Sequence, residues 1–267
     1  PGSGSRGIAW DPPNGQIDLE SLEGHDGVVN LAGASIAALW TATRKRHIRT
    51  SRLEATTLLA TALPKLRRPP SVLVSASAIG YYGDRAANEP LTEASRRGSG
   101  FLAETADAWE EATRPAADAG VRVALTRFGL VLSRQGGAFT IMLPVFKAGL
   151  GGRIGSGKQV WSWVAIDDVA GAIAFALENS GVQGPVNVVA PRPVTNLAFT
   201  RTLGRVLRRP TILGVPEFLV RAVGGQMAGE LLLAGARVVP EKLQGAGFDF
   251  QYSELEVALR HLLFGSE

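Results

Sequence analysis

Short apolar runs alternate with longer amphipathic stretches along the chain. The short runs are rich in Val, Ile and aromatic residues and several are bounded by Gly or Pro, which predicts strands. The longer stretches repeat their apolar positions at helical spacing and predict helices. The predicted strands are residues 7–10, 27–33, 71–77, 121–128 and 184–190. The predicted helices are residues 41–63, 101–119, 168–179 and 197–208.

Strands separated by helices imply a parallel, doubly wound sheet with right-handed crossovers. We therefore predict an α/β, Rossmann-like fold for a first domain, residues 1–190. From residue 191 to 267 we predict a small, mainly helical lobe that closes over the first domain and holds the substrate. In such sheets, ligands bind beyond the carboxyl ends of the strands.

The polar ends of three predicted strands, at residues 30–34, 75–82 and 127–130, would face one crevice. Small side chains at these ends let a flat, extended ligand approach the backbone, which favours a dinucleotide over a compact substrate. The predicted cofactor contacts are Leu31, Ala32, Gly33, Ser75, Ala76, Arg127, Phe128, Gly129 and Leu130.

Composition narrows the class of protein. With 267 residues, 45% of them hydrophobic, the chain can bury the core of one large domain. It has no cysteine, and His25, His47 and His261 are scattered, so we expect no disulfide and no metal site. No apolar run approaches the roughly 20 residues of a membrane-spanning helix. We expect no membrane partner and a cytoplasmic location, with an organelle matrix as the alternative.

Basic residues outnumber acidic ones by 28 to 24, and the densest basic run is "RKRHIRTSR" at residues 44–52. The run is either a nucleic-acid contact or the solvated face of a helix. Ile48 and Leu53 take apolar positions at helical spacing within or beside it, and no aromatic residue is interleaved. This pattern favours a solvated face, so we expect no nucleic-acid partner.

Several segments together resemble the short-chain dehydrogenase/reductase superfamily, and within it the atypical, epimerase-like branch. The resemblance covers nearly the whole chain, including a C-terminal stretch similar to that branch's C-terminal extension. It implies a Rossmann-like fold, NADP(H) or the related NAD(H) as cofactor, and a mostly undefined substrate. The segments include "DGVVNLAGASI", "SRLEATTLLATAL", "VSASAIGYYGD", "TRFGLVLSRQGGA", "GLGGRIGSGKQVWSWVAIDDVAGAI" and "GPVNVVAPRPVTNLAF".

The start of the chain departs from that family. Members begin with a glycine-rich βαβ unit that holds the cofactor pyrophosphate at a helix N-terminus. The sequence opens instead with "PGSGSRGIAWDP", which resembles the loop before the third strand. We therefore expect that roughly 30 or more residues of a first βαβ unit are missing from this sequence. That unit would supply the phosphate cradle and the basic residue that selects NADP.

The catalytic residues depart as well. The family uses a serine after the fifth strand and a Tyr-x-x-x-Lys motif on the next helix, where the lysine activates the tyrosine. Ser77 matches the serine, but aligning Glu110 with the family's acidic residue places Leu102 and Ala106 at the Tyr and Lys positions. An unassisted tyrosine is only about one part in a thousand phenolate at neutral pH. Tyr81 or Tyr82 offers a substitute hydroxyl, and we select Tyr81 as the catalytic candidate; the alternative for both is a half-buried ring at the strand end whose hydroxyl bonds to backbone.

The segment "GRIGSGK" imitates a phosphate-binding loop, but Gln159 follows where Ser or Thr would bind magnesium. In the resembled branch this loop and the "QVWSW" after it form the wall of the substrate pocket. Ordinary core packing is the alternative for the aromatic residues. Asp167 or Asp168 is predicted to cap the following helix. The implied substrate contacts are Tyr82, Phe139, Met142, Phe146, Lys158, Gln159, Trp161 and Trp163.

Two functions follow from these features. The first is an NADP(H)-dependent oxidoreductase or epimerase acting on an unidentified small molecule, with Ser77 beside the nicotinamide. The second is a dinucleotide-binding sensor or interaction protein without turnover. The missing Tyr and Lys favour the sensor, whereas Ser77 and the aromatic-walled pocket favour the enzyme, which we prefer. A homodimer is the candidate assembly.

Overall fold

The computed structural model describes residues 7–265. Its strands and helices are numbered separately in chain order. The strands are β1 Trp10–Asp11, β2 Gln16–Ile17, β3 Gly27–Asn30, β4 Val72–Ala78, β5 Pro90–Leu91, β6 Arg122–Phe128, β7 Leu130–Leu132, β8 Val160–Trp161, β9 Trp163–Ala165, β10 Gly184–Val188, β11 Val194–Thr195 and β12 Arg237–Val238. The α-helices are α1 Leu19–Leu22, α2 Ala42–Ala62, α3 Phe101–Glu111, α4 Arg114–Asp118, α5 Gly137–Lys147, α6 Ile166–Glu178, α7 Asn196–Leu207, α8 Glu217–Ala228, α9 Glu241–Gly245 and α10 Leu255–Phe264.

Within the described residues the central sheet has four strands in the order β10, β6, β4, β3. All neighbouring strands in it are parallel. Helices cover both faces, because one core cluster joins β4 and β10 to α6 and another joins β4 and β6 to α2 and α4. A parallel sheet buried on both sides explains why β4 is an almost continuous apolar and small-residue run. The Rossmann-like α/β prediction is confirmed.

The predicted strand at residues 7–10 does not join this sheet. Only Trp10 and Asp11 form a strand, and they pair antiparallel with β2 in a small hairpin. The hairpin forms because Pro12–Asn14 makes a 3-10 turn and Gly15 follows with φ of 66°, a left-handed conformation that glycine adopts readily. The chain therefore folds back before it can add to the central sheet.

The part of the chain after residue 191 is mainly helical, as predicted. Its helix α8 contains a break at Gly225 (φ 53°, ψ −138°) and runs into a π-helical turn, Gly229–Leu233. Two strands of this C-terminal region pair with strands from earlier in the chain: β11 pairs with β8, and β12 pairs with β5. One core cluster also contains residues from both sides of residue 190. The division into domains at that point stays a prediction.

Glu230, in the π-helical turn, holds the start of α3. Its carboxylate accepts hydrogen bonds from the backbone amides of Phe101 (3.2 Å) and Leu102 (2.9 Å). Gln226 donates to the same carboxylate at 2.8 Å and accepts from Lys45 on α2 at 3.0 Å. Because α3 has no cap from its own Gly100, this carboxylate takes the place of one.

The predicted cap of α6 is wrong. The N-cap position is Ala165, so Asp167 and Asp168 both lie within the first turn. The buried Asp168 carboxylate instead accepts hydrogen bonds from the backbone amides of Gln251 (2.8 Å) and Tyr252 (3.1 Å). It thereby anchors the chain before α10. None of the described helices is long and apolar enough to cross a membrane.

Candidate functional site

The ends of β3, β4 and β6 adjoin at the carboxyl edge of the sheet. Ser75 pairs with Asn30 on one side and Leu125 on the other, and Ser77 pairs with Arg127. The strands run in the same direction, so the segments that follow them leave from one edge. The structure therefore brings together the three predicted segments, residues 30–34, 75–82 and 127–130.

Asn30 organises the chain that leaves β3. Its side-chain amide donates to Thr56 on α2 at 2.8 Å and to the Ser75 hydroxyl at 3.4 Å. Its side-chain carbonyl accepts from the backbone amide of Ala32 at 3.2 Å. Thr56 also accepts from the Trp109 indole at 2.9 Å. The network fixes the start of the loop after β3 and buries Ser75 completely beneath it.

Ser77 is bound to a buried ion pair. Its hydroxyl donates to Glu110 Oε1 at 2.6 Å, and Arg127 donates to both oxygens of the same carboxylate at 2.7 Å. Side-chain exposure is only 2% for Arg127 and 10% for Glu110. Burial acts to lower the pKa of Arg127, but the hydrogen bonds and charge of Glu110 outweigh it and raise that pKa above its ordinary value. Arg127 is therefore a permanent cation.

The two adjacent tyrosines have different surroundings. Tyr82 is fully buried; its hydroxyl accepts from Arg127 at 2.9 Å and lies 2.7 Å from Asn187 Oδ1, to which it can donate. Burial raises the pKa of Tyr82. Tyr81 is half-buried and its ring centroid lies 3.5 Å from the Arg127 guanidinium carbon. The Tyr81 hydroxyl has no hydrogen-bond partner within residues 7–265.

These contacts limit what Ser77 can do chemically. A hydroxyl carries one hydrogen, and that of Ser77 is donated to Glu110. Toward any other group Ser77 can only accept a hydrogen bond. Tyr81 and Tyr82 lie in the 3-10 turn Ile79–Tyr82. Leu102 on α3 lies against this turn, since a Cβ on Gly80 would be 3.1 Å from Leu102 Cβ. The helix face next to that turn therefore carries an alkyl chain.

The predicted cofactor contacts differ in accessibility. Leu31 is 58% exposed. Packing within the protein itself requires glycine at residue 129, because a Cβ there would lie 2.5 Å from the Ser162 carbonyl oxygen. A Cβ on Gly33 would be 3.1 Å from the guanidinium carbon of Arg52. Ser75, Ala76 and Arg127 are buried, Ala32, Phe128, Gly129 and Leu130 are partly buried, and Leu31 and Gly33 are exposed.

The predicted aromatic wall of a substrate pocket lies in the protein core. Its members share one hydrophobic cluster with α7 and α10, and the Trp163 indole donates to the Arg192 carbonyl at 3.1 Å. Gln159 donates to the carbonyl oxygens of Ile154 (3.1 Å) and Leu232 (3.0 Å), while Lys158 is exposed. Substrate contact by these residues stays a prediction; in the structure the aromatic residues pack in the core, and Gln159 is hydrogen-bonded to backbone. The clustered residues are Phe139, Phe146, Trp161 and Trp163, with Met142 packed against them.

The sequence interpretation missed two side chains at this edge. Glu110 entered only as an alignment marker, yet it is the partner of both Ser77 and Arg127. Arg52 was assigned to a solvated helix face but its side chain lies against Gly33. The signal for the ion pair was Arg127, the one charged residue in the run 123–132; Glu110 lies among other acidic residues of α3 and gave none. Arg52 gave no such signal, because its run is basic throughout.

Comparison with known proteins identifies the family. Residues 16–190 match the NAD dependent epimerase/dehydratase family, and residues 215–262 match a domain of unknown function, DUF1731. The chain is 42% identical over 256 residues to Epimerase family protein Mb2239 of Mycobacterium bovis. The aligned region covers 96% of this chain and 84% of that protein.

Two solved structures are similar throughout most of the chain. The human epimerase family protein SDR39U1, determined with NADPH, has a TM-score of 0.85 and 37% identity, covering 91% of this chain and 85% of that one. A nucleoside-diphosphate sugar epimerase from Corynebacterium glutamicum has a TM-score of 0.77 and 34% identity, covering 96% of this chain and 49% of that one. With the parallel sheet and the strand-end segments described above, these matches show that the chain belongs to the NAD dependent epimerase/dehydratase family.

Proposed function

We propose that this protein binds NADP(H), with NAD(H) as the alternative, across the ends of β3, β4 and β6. We further propose that it acts as an oxidoreductase or epimerase on an unidentified small molecule. The observation that carries the proposal is the common edge shared by residues 30–34, 75–82 and 127–130. The human relative determined with NADPH supports the choice of cofactor.

The residues at the edge fit a dinucleotide. Leu31 offers an exposed apolar side chain, and Gly33 next to it presents bare backbone. Arg52 places a guanidinium behind Gly33, where a larger residue would cover it. An exposed apolar side chain and open backbone next to a cation suit a ligand made of aromatic rings and phosphates. A bound nicotinamide dinucleotide supplies hydride transfer.

Ser77 and Tyr81 are the residues of this chain that we assign to the reaction. Glu110 orients the Ser77 hydroxyl so that its lone pairs are available, and the group that Ser77 holds must be a donor such as a substrate hydroxyl. Tyr81 has an uncommitted hydroxyl and a ring fixed against Arg127. It is the candidate for moving a proton to or from the substrate.

Dinucleotide binding without turnover is the second candidate function. It is favoured by Leu102, which presents an alkyl chain to the tyrosine-bearing turn, and by Ala106 one turn further along α3. It is also favoured by the hydrogen bond that the Ser77 hydroxyl donates to Glu110, which leaves Ser77 no proton to donate to a substrate. Under this reading the strand-end network only shapes the binding surface.

One experiment separates the two. The protein is titrated with NADPH and NADH by nicotinamide fluorescence. Alcohols are then screened with the oxidised dinucleotides for a gain of reduced nicotinamide absorbance, and carbonyl compounds with the reduced dinucleotides for its loss. Binding with turnover that falls in Ser77→Ala and Tyr81→Phe supports the enzyme. Tight binding with no change of nicotinamide absorbance supports the sensor over the oxidoreductase, and conversion of an added hydroxyl compound to its epimer identifies an epimerase. No binding of either dinucleotide refutes both candidate functions. Thr140→Ala, a hydroxyl loss on α5, is the control.

The location and assembly remain predictions. We expect a cytoplasmic protein, or one in an organelle matrix, and a homodimer. Light scattering of the purified protein measures its mass in solution, and a monomer across the working concentration range would contradict the dimer.

A further inference from the structure

Two arginines of α2 reach the loop that leaves β3. Arg44 Nη2 donates to the Ser35 carbonyl at 2.5 Å, and Arg52 Nη1 donates to the Ala34 carbonyl at 3.0 Å. Residues 44 and 52 are two turns apart on one helix face, about 12 Å along the axis. Their guanidinium groups nevertheless bind the carbonyl oxygens of consecutive residues. The two cations therefore converge on the loop next to Gly33, at the proposed cofactor crevice.

In the described part of the chain, these two charges lack a carboxylate partner. Neither arginine forms an ion pair with a carboxylate within residues 7–265, and the first turn of α2 contains no acidic residue. The Glu230 carboxylate, which Gln226 links to neighbouring Lys45, is already bonded to the start of α3. A partly buried cation with only neutral partners is unfavourable, because its desolvation is not repaid by an opposite charge.

Donor groups remain unused on both guanidiniums. Arg44 Nε is buried and has no partner within the described residues. Arg52 commits only Nη1, to Ala34 and Ile48, and burial lowers the pKa of Arg52. Its guanidinium also lies over the Trp109 ring, 4.9 Å from the ring centroid, within the range of a cation–π contact. Two oriented guanidiniums with free N–H groups match the oxygen atoms of a phosphate.

We propose that Arg44 and Arg52 bind a phosphate group of a ligand that lies over residues 31–35. The proposal rests on the proposed function in placing the ligand in the same crevice. The phosphate comes either from the dinucleotide or from a phosphorylated substrate, and the chemistry of recognition is the same for both.

The test measures the affinity of three probes by calorimetry: NADPH, NADH and inorganic pyrophosphate. Arg44→Gln and Arg52→Gln each remove one guanidinium. Arg46→Gln and Arg49→Gln are matched controls, since they remove the same charge from exposed positions on α2. Loss of a charge-assisted contact is expected to weaken binding roughly 10- to 100-fold in the first pair. The controls are expected to change it by less than about threefold.

The three probes identify the source of the phosphate. Equal losses for NADPH and NADH assign the contact to the pyrophosphate shared by both dinucleotides, and a loss for NADPH alone assigns it to the extra phosphate of NADPH. A loss for inorganic pyrophosphate alone assigns it to a phosphorylated substrate. Each of these outcomes supports the proposal.

Unchanged affinity for all three probes in both variants would overturn it, as would equal losses in the controls or a wild-type protein that binds no probe. If the wild-type protein binds pyrophosphate but no dinucleotide, the proposed function fails. The pyrophosphate affinities of the arginine variants then still decide whether Arg44 and Arg52 bind phosphate. Should Arg52→Gln fail to fold, Arg44→Gln and Arg52→Lys decide instead. Lysine keeps the charge but not the fork of donors, and is expected to recover only part of the affinity.

Discussion

Replacing Glu110 with Gln tests the ion pair on which Ser77 depends. The carboxylate accepts three short hydrogen bonds, two from Arg127 and one from Ser77. Glutamine keeps the shape, but its amide nitrogen would face a donor of Arg127 at the oxygen it replaces. One charge-assisted bond is lost, and the Arg127 cation stays buried without a counter-charge. Breaking a buried pair in this way is expected to lower the free energy of unfolding by about 3–5 kcal/mol.

Equilibrium denaturation in urea, followed by tryptophan fluorescence, measures this loss. The control is Glu111→Gln, the next residue, whose carboxylate pairs with Arg114 at 2.7 Å on the surface, where both side chains are 66% exposed. That change is expected to lower stability by less than about 1 kcal/mol. The double variant Glu110→Leu with Arg127→Met removes both charges and is expected to be less destabilised than Glu110→Gln alone.

The reasoning is refuted if Glu110→Gln and Glu111→Gln have the same stability. It is also refuted if the double variant loses as much stability as Glu110→Leu and Arg127→Met, measured as single variants, lose together, because the two side chains would then be energetically independent.

Two further predictions concern packing and pH. Gly129→Ala is expected to destabilise the protein by about 1–3 kcal/mol, because the new Cβ would lie 2.5 Å from the Ser162 carbonyl oxygen; Gly136→Ala, with nothing within 4 Å, is the control in thermal denaturation, and equal losses would contradict the packing argument. Burial raises the pKa of Asp168 in the folded protein, so its contribution to stability is fully present below the unfolded pKa and is lost as the pH rises through the folded one. Measured against non-titrating Asp168→Asn, wild-type stability should therefore fall over that acidic interval and then level off, and a difference independent of pH would show that Asp168 does not titrate as described.

Much of the fold could be predicted from the sequence. Alternation of strands and helices is a local pattern, and it predicted the parallel sheet correctly. The strand at residues 7–10 failed because a turn at Pro12–Asn14 decides where that segment goes, and the apolar pattern does not record it. The cap of α6 failed because Asp168 has backbone partners more than 80 residues away, as shown by its bond to Gln251.

The candidate site was less predictable than the fold. The position of Ser77 followed from the end of a strand, but its bond to Glu110 depends on how α3 lies against β4. Apolar residues that line a pocket and those that fill a core have the same composition, so the sequence could not separate these roles for Trp161 and Trp163. Arg52 could not be singled out because it ends a segment with several other basic residues, and only its contact with Gly33 distinguishes it.

The contact between Glu230 and α3 has a consequence for motion. Helix α3 carries Glu110 near its end, while its first two amides are held by a residue that follows the break at Gly225. If the segment around Glu230 swings outward, those amides lose their acceptor and must find water or a ligand oxygen instead. Outward movement of the segment around Glu230 is therefore coupled to loosening of α3, the helix that carries Glu110 and so orients Ser77. Faster amide hydrogen exchange at Phe101 and Leu102 would report this movement.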